Sequence, residues 1–185
     1  MPADIRIRPE TPDDEAEIDA LQADVFGPGR FARTAFRLRE HVSHDPVLSL
    51  VAPGLEGLAG SVRLTPILIG DTAALLLGPL AVRAHLRGQG FGKTLMRAAM
   101  AGARQHRHAL VLLVGDLPYY WPFGFRTVPA GRIVLPGPVD PTRLLLAELA
   151  PGAAEAAQGL ARRWPDWQAA REAAAAVPRP AAPVV

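Results

Sequence analysis

The sequence predicts a mixed α/β domain, and three observations carry that expectation. Strand-like and helical segments alternate from Ile5 to Leu135. Ala109 to Val114 is apolar throughout, the composition of a strand buried on both faces. A glycine-dense turn, Gly88 to Gly92, joins the apolar segment Ala73 to Val82 to a stretch whose apolar residues recur with helical period.

Ile5 to Arg8 alternates as a first strand. Thr11-Pro12-Asp13-Asp14 has the form of a helix start, with a capping hydroxyl, a proline at the first helical position and acids facing the positive dipole end. That helix is predicted to run to about Val25, with Ile18, Leu21 and Val25 on one face, until Gly27-Pro28-Gly29 breaks it. A second helix is predicted over Arg30 to His41, with Phe31, Ala35 and Leu38 inward. Val47 to Ala52 and Leu58 to Ile69 read as strands joined by a turn around Pro53-Gly54, and Gly70-Asp71 turns into the strand Ala73 to Val82. A helix over Gly92 to His106 carries Leu95, Met96, Ala99, Met100 and Ala103 as its buried stripe. The strand Ala109 to Val114 follows, then a proline- and aromatic-rich segment, then a last strand near Arg132 to Leu135. Beyond Pro136-Gly137-Pro138, Leu144 to Leu149 is expected to pack on the domain, so its bounds are set at residues 1–150. Residues 151–185 form an Ala/Pro-rich appendix with a helix around Asp166 to Ala176 and a disordered end. Trp164 and Trp167 are its candidate anchors, to the body of the domain or to a partner subunit.

Composition narrows the function. With 49% hydrophobic and 21% charged residues, the chain reads as soluble and globular. No apolar stretch reaches membrane-spanning length, and Met1 to Arg8 lacks the apolar run of a secretion signal, so no membrane partner and a cytoplasmic location are expected. There is no cysteine, which removes disulfides, thiolate metal sites and a cysteine nucleophile. The net charge of +2 hides an asymmetry. Residues 1–71 hold twelve acids against seven basic residues, whereas residues 72–139 hold eight basic residues and one acid, Asp116. A basic stretch around a glycine turn attracts a polyanion. It has neither a basic run nor interleaved aromatics, so nucleic acid is not the expected partner.

The glycine turn reads Arg87-Gly88-Gln89-Gly90-Phe91-Gly92-Lys93-Thr94. Glycines free the backbone for left-handed dihedrals, and the following helix offers unpaired N–H groups to phosphate oxygens. Two familiar phosphate motifs fail on spacing. The dinucleotide fingerprint needs G-x-G-x-x-G, and Gly88, Gly90 and Gly92 are one residue short. The nucleotide P-loop needs four residues before its final G-K-[ST], and only three separate Gly88 from Gly92.

The segment does match [RQ]-x-x-G-x-[GA], and so resembles the acetyl-coenzyme A loop of the GNAT family of N-acetyltransferases. A second motif, Tyr120-x-x-x-Gly124-Phe125, resembles that family's closing motif. Leu77-Gly78-Pro79-Leu80-Ala81-Val82 before the loop, and the string from Val114-Gly115-Asp116 through Tyr119-Tyr120 to Phe125, are similar to one large bacterial branch of it.

The resemblance implies a mostly antiparallel, twisted sheet splayed between its fourth and fifth strands and flanked by helices. It also implies transfer of an acetyl group from acetyl-coenzyme A to a primary amine by direct attack in a ternary complex. The alternative is an acyl-coenzyme A-binding protein of the same fold that does not catalyse. Leu80, Ala81 and Val82 would meet the pantetheine, with the Leu80 N–H against the thioester oxygen. Arg87, Gly88, Gln89, Gly90, Phe91, Gly92 and Lys93 would hold the pyrophosphate. Tyr120 would face the sulfur and donate a proton to the leaving thiolate; Tyr119 would shape the acceptor pocket. For the base, Glu40, Asp71, Asp116 and His85 stand as candidates that no spacing separates. The pairs His41/His44 and His106/His108 lack further ligands nearby, so no metal is expected. The acceptor would lie near Phe26 to Phe31 and the segment after Phe125. Monomer and homodimer both remain open.

Overall fold

The computed structural model describes residues 5–176, and the Pro-rich end expected to be disordered lies outside them. In chain order the strands are β1 (Arg8–Pro9), β2 (Leu50–Gly54), β3 (Gly57–Ile69), β4 (Thr72–Val82), β5 (Leu110–Val114), β6 (Phe125–Thr127), β7 (Ile133–Val134), β8 (Leu144–Glu148) and β9 (Gly159–Arg163). The helices are α1 (Glu15–Phe26), α2 (Thr34–Arg37), α3 (Phe91–Gln105), α4 (Leu117–Tyr120), α5 (Ala153–Ala156) and α6 (Trp167–Ala176). The sheet runs β1-β2-β3-β4-β5-β8-β6, antiparallel at every junction except the parallel β4–β5 pair. This is the mixed, mostly antiparallel architecture expected.

Alternation along the central strands divides the core in two. Leu75 and Leu77 of β4 and Val111 and Leu113 of β5 face α3, where they meet Leu95, Met96, Ala99, Met100 and Ala103. Leu76, Leu110 and Leu112 face the other side, against Leu38, Ile133, Leu135 and Leu144. Strands covered on both faces must be apolar at every position, which is why β5 reads as an unbroken run. The α3 stripe is fully buried as predicted. Burying each of its Leu and Met side chains contributes about 1.5–3 kcal/mol.

The β4–β5 contact is short. Only Leu75↔Val111 and Leu76↔Leu112 pair, and past Leu76 the two strands diverge. On its other edge β4 is bulged: Leu64 faces Leu77 but Val62 faces Leu80, so Gly78 and Pro79 together oppose Arg63. The Gly78–Pro79 bond is cis. A proline cannot donate to a ladder, and a bulge is where a sheet tolerates one.

Four local expectations need correction. The first strand lies at Arg8–Pro9, with Ile5 and Ile7 before it packed on the core. The single helix predicted over Arg30 to His41 is instead a 3-10 turn, Pro28–Ala32, and the four-residue α2, because extended Arg33 interrupts the helix between them. Leu38 is buried as expected, whereas Phe31 is 53% exposed and stacks edge-on against Phe36. Leu144 to Leu149, expected only to pack on the domain, supplies β8, which is inserted between β5 and β6.

Residues beyond 150 also join the sheet. β9 pairs with β3 on one side and β7 on the other, an arrangement with no counterpart among the predicted elements. The expected helix near Asp166 to Ala176 is present as α6. Trp167 is buried and its indole N–H donates to the Ser43 carbonyl at 2.9 Å, so it anchors α6 to the body of the domain. Arg171 of α6 reaches Asp45, whose side chain is wholly buried, at 2.8 Å.

Candidate active site

The first part of the site is made of backbone. Gly88 and Gly90 have positive φ, +80° and +99°, and Gly90 is the left-handed cap of α3. The first helical bond runs from the Thr94 N–H to the Gly90 carbonyl, 2.9 Å. The N–H groups of Phe91, Gly92 and Lys93 therefore have no partner within the helix, and they point out of its positive end. The space before them is open: a methyl on Gly88 would meet nothing within 4 Å, and one on Gly90 only the Ile5 side chain at 3.6 Å. Arg87 and Lys93 flank this end, exposed and without an ion-pair partner among the described residues. Exposed N–H groups, free cations and empty space at glycine form a cradle that suits a pyrophosphate. Gly92 is closed off by a neighbour, since a methyl there would sit 2.6 Å from the Tyr119 hydroxyl.

The second part is the gap where β4 leaves β5. Leu80, Ala81 and Val82 continue along this edge toward the glycine turn, and Leu80 lies half-buried just past the bulge. Across the gap, α4 projects from the end of β5. Pro118 in its first turn has a φ suited to helix, and the Tyr119 N–H returns to the Asp116 carbonyl at 3.0 Å. The two tyrosine rings meet edge to face at 4.9 Å, and Tyr120 packs edge-on against buried Phe125 at 5.8 Å. Gly115 makes room for Tyr120: a methyl there would run into its ring. Burial, then the nearby Tyr119 and Asp116, push the Tyr120 phenol up to about 12. Burial also raises Tyr119.

The third part is a cavity of about 910 Å³ that opens from the gap toward the N-terminal segment. Phe26 and the stretch from Arg30 to Phe36 form one wall, Gly78, Pro79 and Leu80 the floor, Tyr119 and Tyr120 one end, and Pro138 to Asp140 a rim. Phe26 and Phe31, expected near the acceptor, do line it. On the far side the segment is 138–143, further along the chain than the residues directly after Phe125.

Five arginines and three aspartates face this cavity. Most have local partners. Arg63 binds Glu10 at 2.9 Å and Glu15 at 2.5 Å, and His44 also pairs with Glu10. Burial works to raise the Glu10 carboxyl, but hydrogen bonds from His44 and Arg63 outweigh it and hold the group below its ordinary value. Arg143 pairs with Asp116 at 3.1 Å. Arg30 and Arg33 lie over the Phe31 and Phe26 rings, 4.2 and 5.0 Å from their centroids. Asp140 caps the turn that follows it through Thr142. Arg39 has no such partner.

The four candidate bases are scattered. Asp71 lies in the β3–β4 turn, fully exposed and paired with Arg162. Glu40 and His85 are exposed and outside the cavity. Asp116 alone of the four lines it. Gln22 and Arg39 are among the lining residues that escaped sequence reasoning. In the predicted helices each reads as an ordinary polar position; no spacing marks them.

Comparison with known proteins bears on the fold and the family. The family model described as the acetyltransferase (GNAT) family matches residues 15–122. An uncharacterized N-acetyltransferase of Escherichia coli, YhbS, is 34% identical over 122 residues, covering 64% of this chain and 72% of that protein. The crystal structure of Escherichia coli YhbS in complex with CoA superimposes with a TM-score of 0.74 at 28% identity, over 89% of this chain and 92% of that one. A Brucella melitensis GNAT family acetyltransferase in complex with acetyl-CoA gives a TM-score of 0.58 at 29% identity, over 76% and 94% of the two chains.

Proposed function

Because the chain belongs to the GNAT family, we propose that it is an acyltransferase that moves an acetyl group from acetyl-CoA to a primary amine by direct attack. The observation that carries this reading is the continuity of the site. A cradle of free N–H groups at the start of α3, an unpaired β4 edge and a partly buried phenol stand in series, and a cavity opens at the acyl end. The coenzyme A complexes of the similar structures support assigning the cradle and edge to that molecule.

In this reading Gly88, Gly90 and the first N–H groups of α3 take the pyrophosphate, with Arg87 and Lys93 adding charge. The edge from Leu80 to Val82 bonds the pantetheine as a further strand would. The thioester supplies the activated acetyl carbon. The amine enters from the cavity after losing a proton, since an alkylammonium has no lone pair and its pKa is near ~10.4. A C–N bond forms and the C–S bond breaks. The Leu80 N–H steadies the charge that develops on the carbonyl oxygen, the Tyr120 proton passes to the departing sulfur, and the proton shed by the newly acylated nitrogen restores the phenol. One proton per turnover leaves with the amide and free coenzyme A as the other products. Much of the rate comes from holding amine and thioester together.

Calorimetric titration with acetyl-CoA and with ATP tests this. Acetyl-CoA should bind and ATP should not, and a thiol assay should then register coenzyme A release with amines. A protein that binds neither coenzyme A nor its acetyl form would end the reading.

A further inference from the structure

Two side-chain nitrogens of residues that line the cavity are out of contact with water and have no hydrogen-bond partner. The Gln22 side chain lies on α1 with its residue only 8% exposed, and its Nε2 has no partner. The Arg39 Nε is likewise inaccessible and unpartnered, and no carboxylate pairs with this guanidinium among the described residues. Both residues line the same cavity. A buried donor left unpaired costs about 1–3 kcal/mol, and more when charged, so two in one cavity point to an acceptor group that arrives with a ligand. Burial alone already lowers the Arg39 pKa to about 10, and the group stays charged at neutral pH.

Position fixes what the ligand is for. A methyl on Gly78 would lie 3.0 Å from Arg39 Nη2 and 3.9 Å from the Leu80 nitrogen. The guanidinium therefore stands beside the bulge at the acyl end of the cavity, far along β4 from the glycine cradle. An anion held there belongs to the amine substrate rather than to the pyrophosphate. Arg63 and Arg143 are already matched by acids. Arg30 and Arg33 lie over phenyl rings, which leaves Arg39 as the cavity guanidinium with neither an acid nor a ring against it among the described residues, and a guanidinium suits a planar anion able to take two parallel N–H bonds.

We propose that the acceptor is an amine carrying a carboxylate, an amino acid or a similar small amino carboxylate, and that Arg39 and Gln22 bind that carboxylate. This rests on the acetyltransferase reading above and adds the substrate class to it.

The test compares the common amino acids, β-alanine and 4-aminobutyrate with their carboxamides, and includes phosphoethanolamine. Coenzyme A release is measured, and acetyl-CoA binding is followed separately by calorimetry. At least one carboxylate acceptor should exceed its amide by roughly ten- to a hundredfold in kcat/KM, the worth of a hydrogen bond to a charged group. Arg39→Gln should bring that ratio close to one through a higher KM, leaving acetyl-CoA affinity unchanged. Arg39→Lys should restore part of the preference, and Gln22→Met, which keeps the helix, should reduce it less. The inference is overturned if acetyl-CoA binds but no carboxylate amine reacts, if amides or phosphoethanolamine react as well or better, or if Arg39→Gln lowers kcat equally for charged and neutral acceptors. Failure to bind acetyl-CoA at all would instead remove the underlying reading.

Discussion

The two ends of the site are built by different means. The cradle at α3 is made of main chain: its N–H groups come free because a helix begins there, and Gly88 and Gly90 have the dihedrals and the empty space that let a ligand approach. The cavity is made of side chains delivered by α1, a broken helical stretch, the turn after α2 and the rim at 138–143. A main-chain site constrains sequence tightly, since glycine is strongly favoured at left-handed positions. A side-chain site constrains it loosely, because many residues from many elements can furnish one charge. One end should therefore be fragile to small substitutions and the other tunable.

The largest effect should come from the fragile end. Gly90→Val places a β-branched residue at φ +99° on the cap of α3 and fills the space in front of the free N–H groups. The left-handed conformation costs about 1–2 kcal/mol for a residue with a Cβ, and the branch then blocks the cradle. Acetyl-CoA binding by calorimetry should disappear while the far-ultraviolet circular dichroism remains native-like. Retained affinity would mean that the cradle is not where coenzyme A binds and would dissolve the comparison.

How much of the molecule was legible follows the same division. The α3 stripe, the apolar β5 run and the glycine turn could be read because each is a local pattern with one physical solution. β8 could not, because its place between β5 and β6 depends on pairing with strands far away in the chain, and Leu144 to Glu148 carries no sign of that neighbour. β9 shows even less: along Gly159–Arg163 only Ala161 is buried, so no alternation of apolar residues announces a strand. Arg39 was hidden by the helix predicted around it. In that helix it is one more polar residue beside Leu38. In the structure, extended Arg33 ends the 3-10 turn, α2 stops at Arg37 and the turn that follows carries Arg39 to the cavity. Tyr120 was legible from its spacing to Gly124-Phe125, but its fit against Gly115 was not.

An intermediate effect belongs to Tyr120, where the two ends meet. Tyr120→Phe keeps the ring against Gly115 and Phe125 and removes only the hydroxyl. A general acid is worth about 10²–10⁴-fold, so kcat should fall by roughly a hundredfold while acetyl-CoA still binds. The pH profile sharpens this. With the phenol pushed up to about 12, chiefly by burial, it keeps its proton across the assay range. The wild-type kcat should then show no falling limb from this group below about pH 10. A limb near neutrality that vanishes in Tyr120→Phe, or turnover that the substitution leaves intact, would take the acid role from Tyr120.

The smallest effect should come from outside the site, through the brace on the tunable end. Residues 40–45 lead away from Arg39, and three bonds from beyond β9 or at its end hold them: Arg163 to the Glu40 carbonyl at 3.2 Å, Trp167 to the Ser43 carbonyl at 2.9 Å and Arg171 to Asp45 at 2.8 Å. Arg171→Met keeps much of the aliphatic length of the side chain and removes the charge facing the buried Asp45 carboxylate. That carboxylate still accepts the Val47 and Leu48 N–H groups, at 2.9 and 3.3 Å, and Arg171 is partly exposed, so the loss should be modest, about 1 kcal/mol. The turn carrying Arg39 should loosen without unfolding. The acceptor KM should then rise a few-fold, with kcat and acetyl-CoA affinity unchanged, because Arg171 touches α3 only at His106, the end opposite the cradle. If acetyl-CoA binding weakens in step with the acceptor, the two ends are mechanically one, and the division between a rigid main-chain end and an adjustable side-chain end is lost.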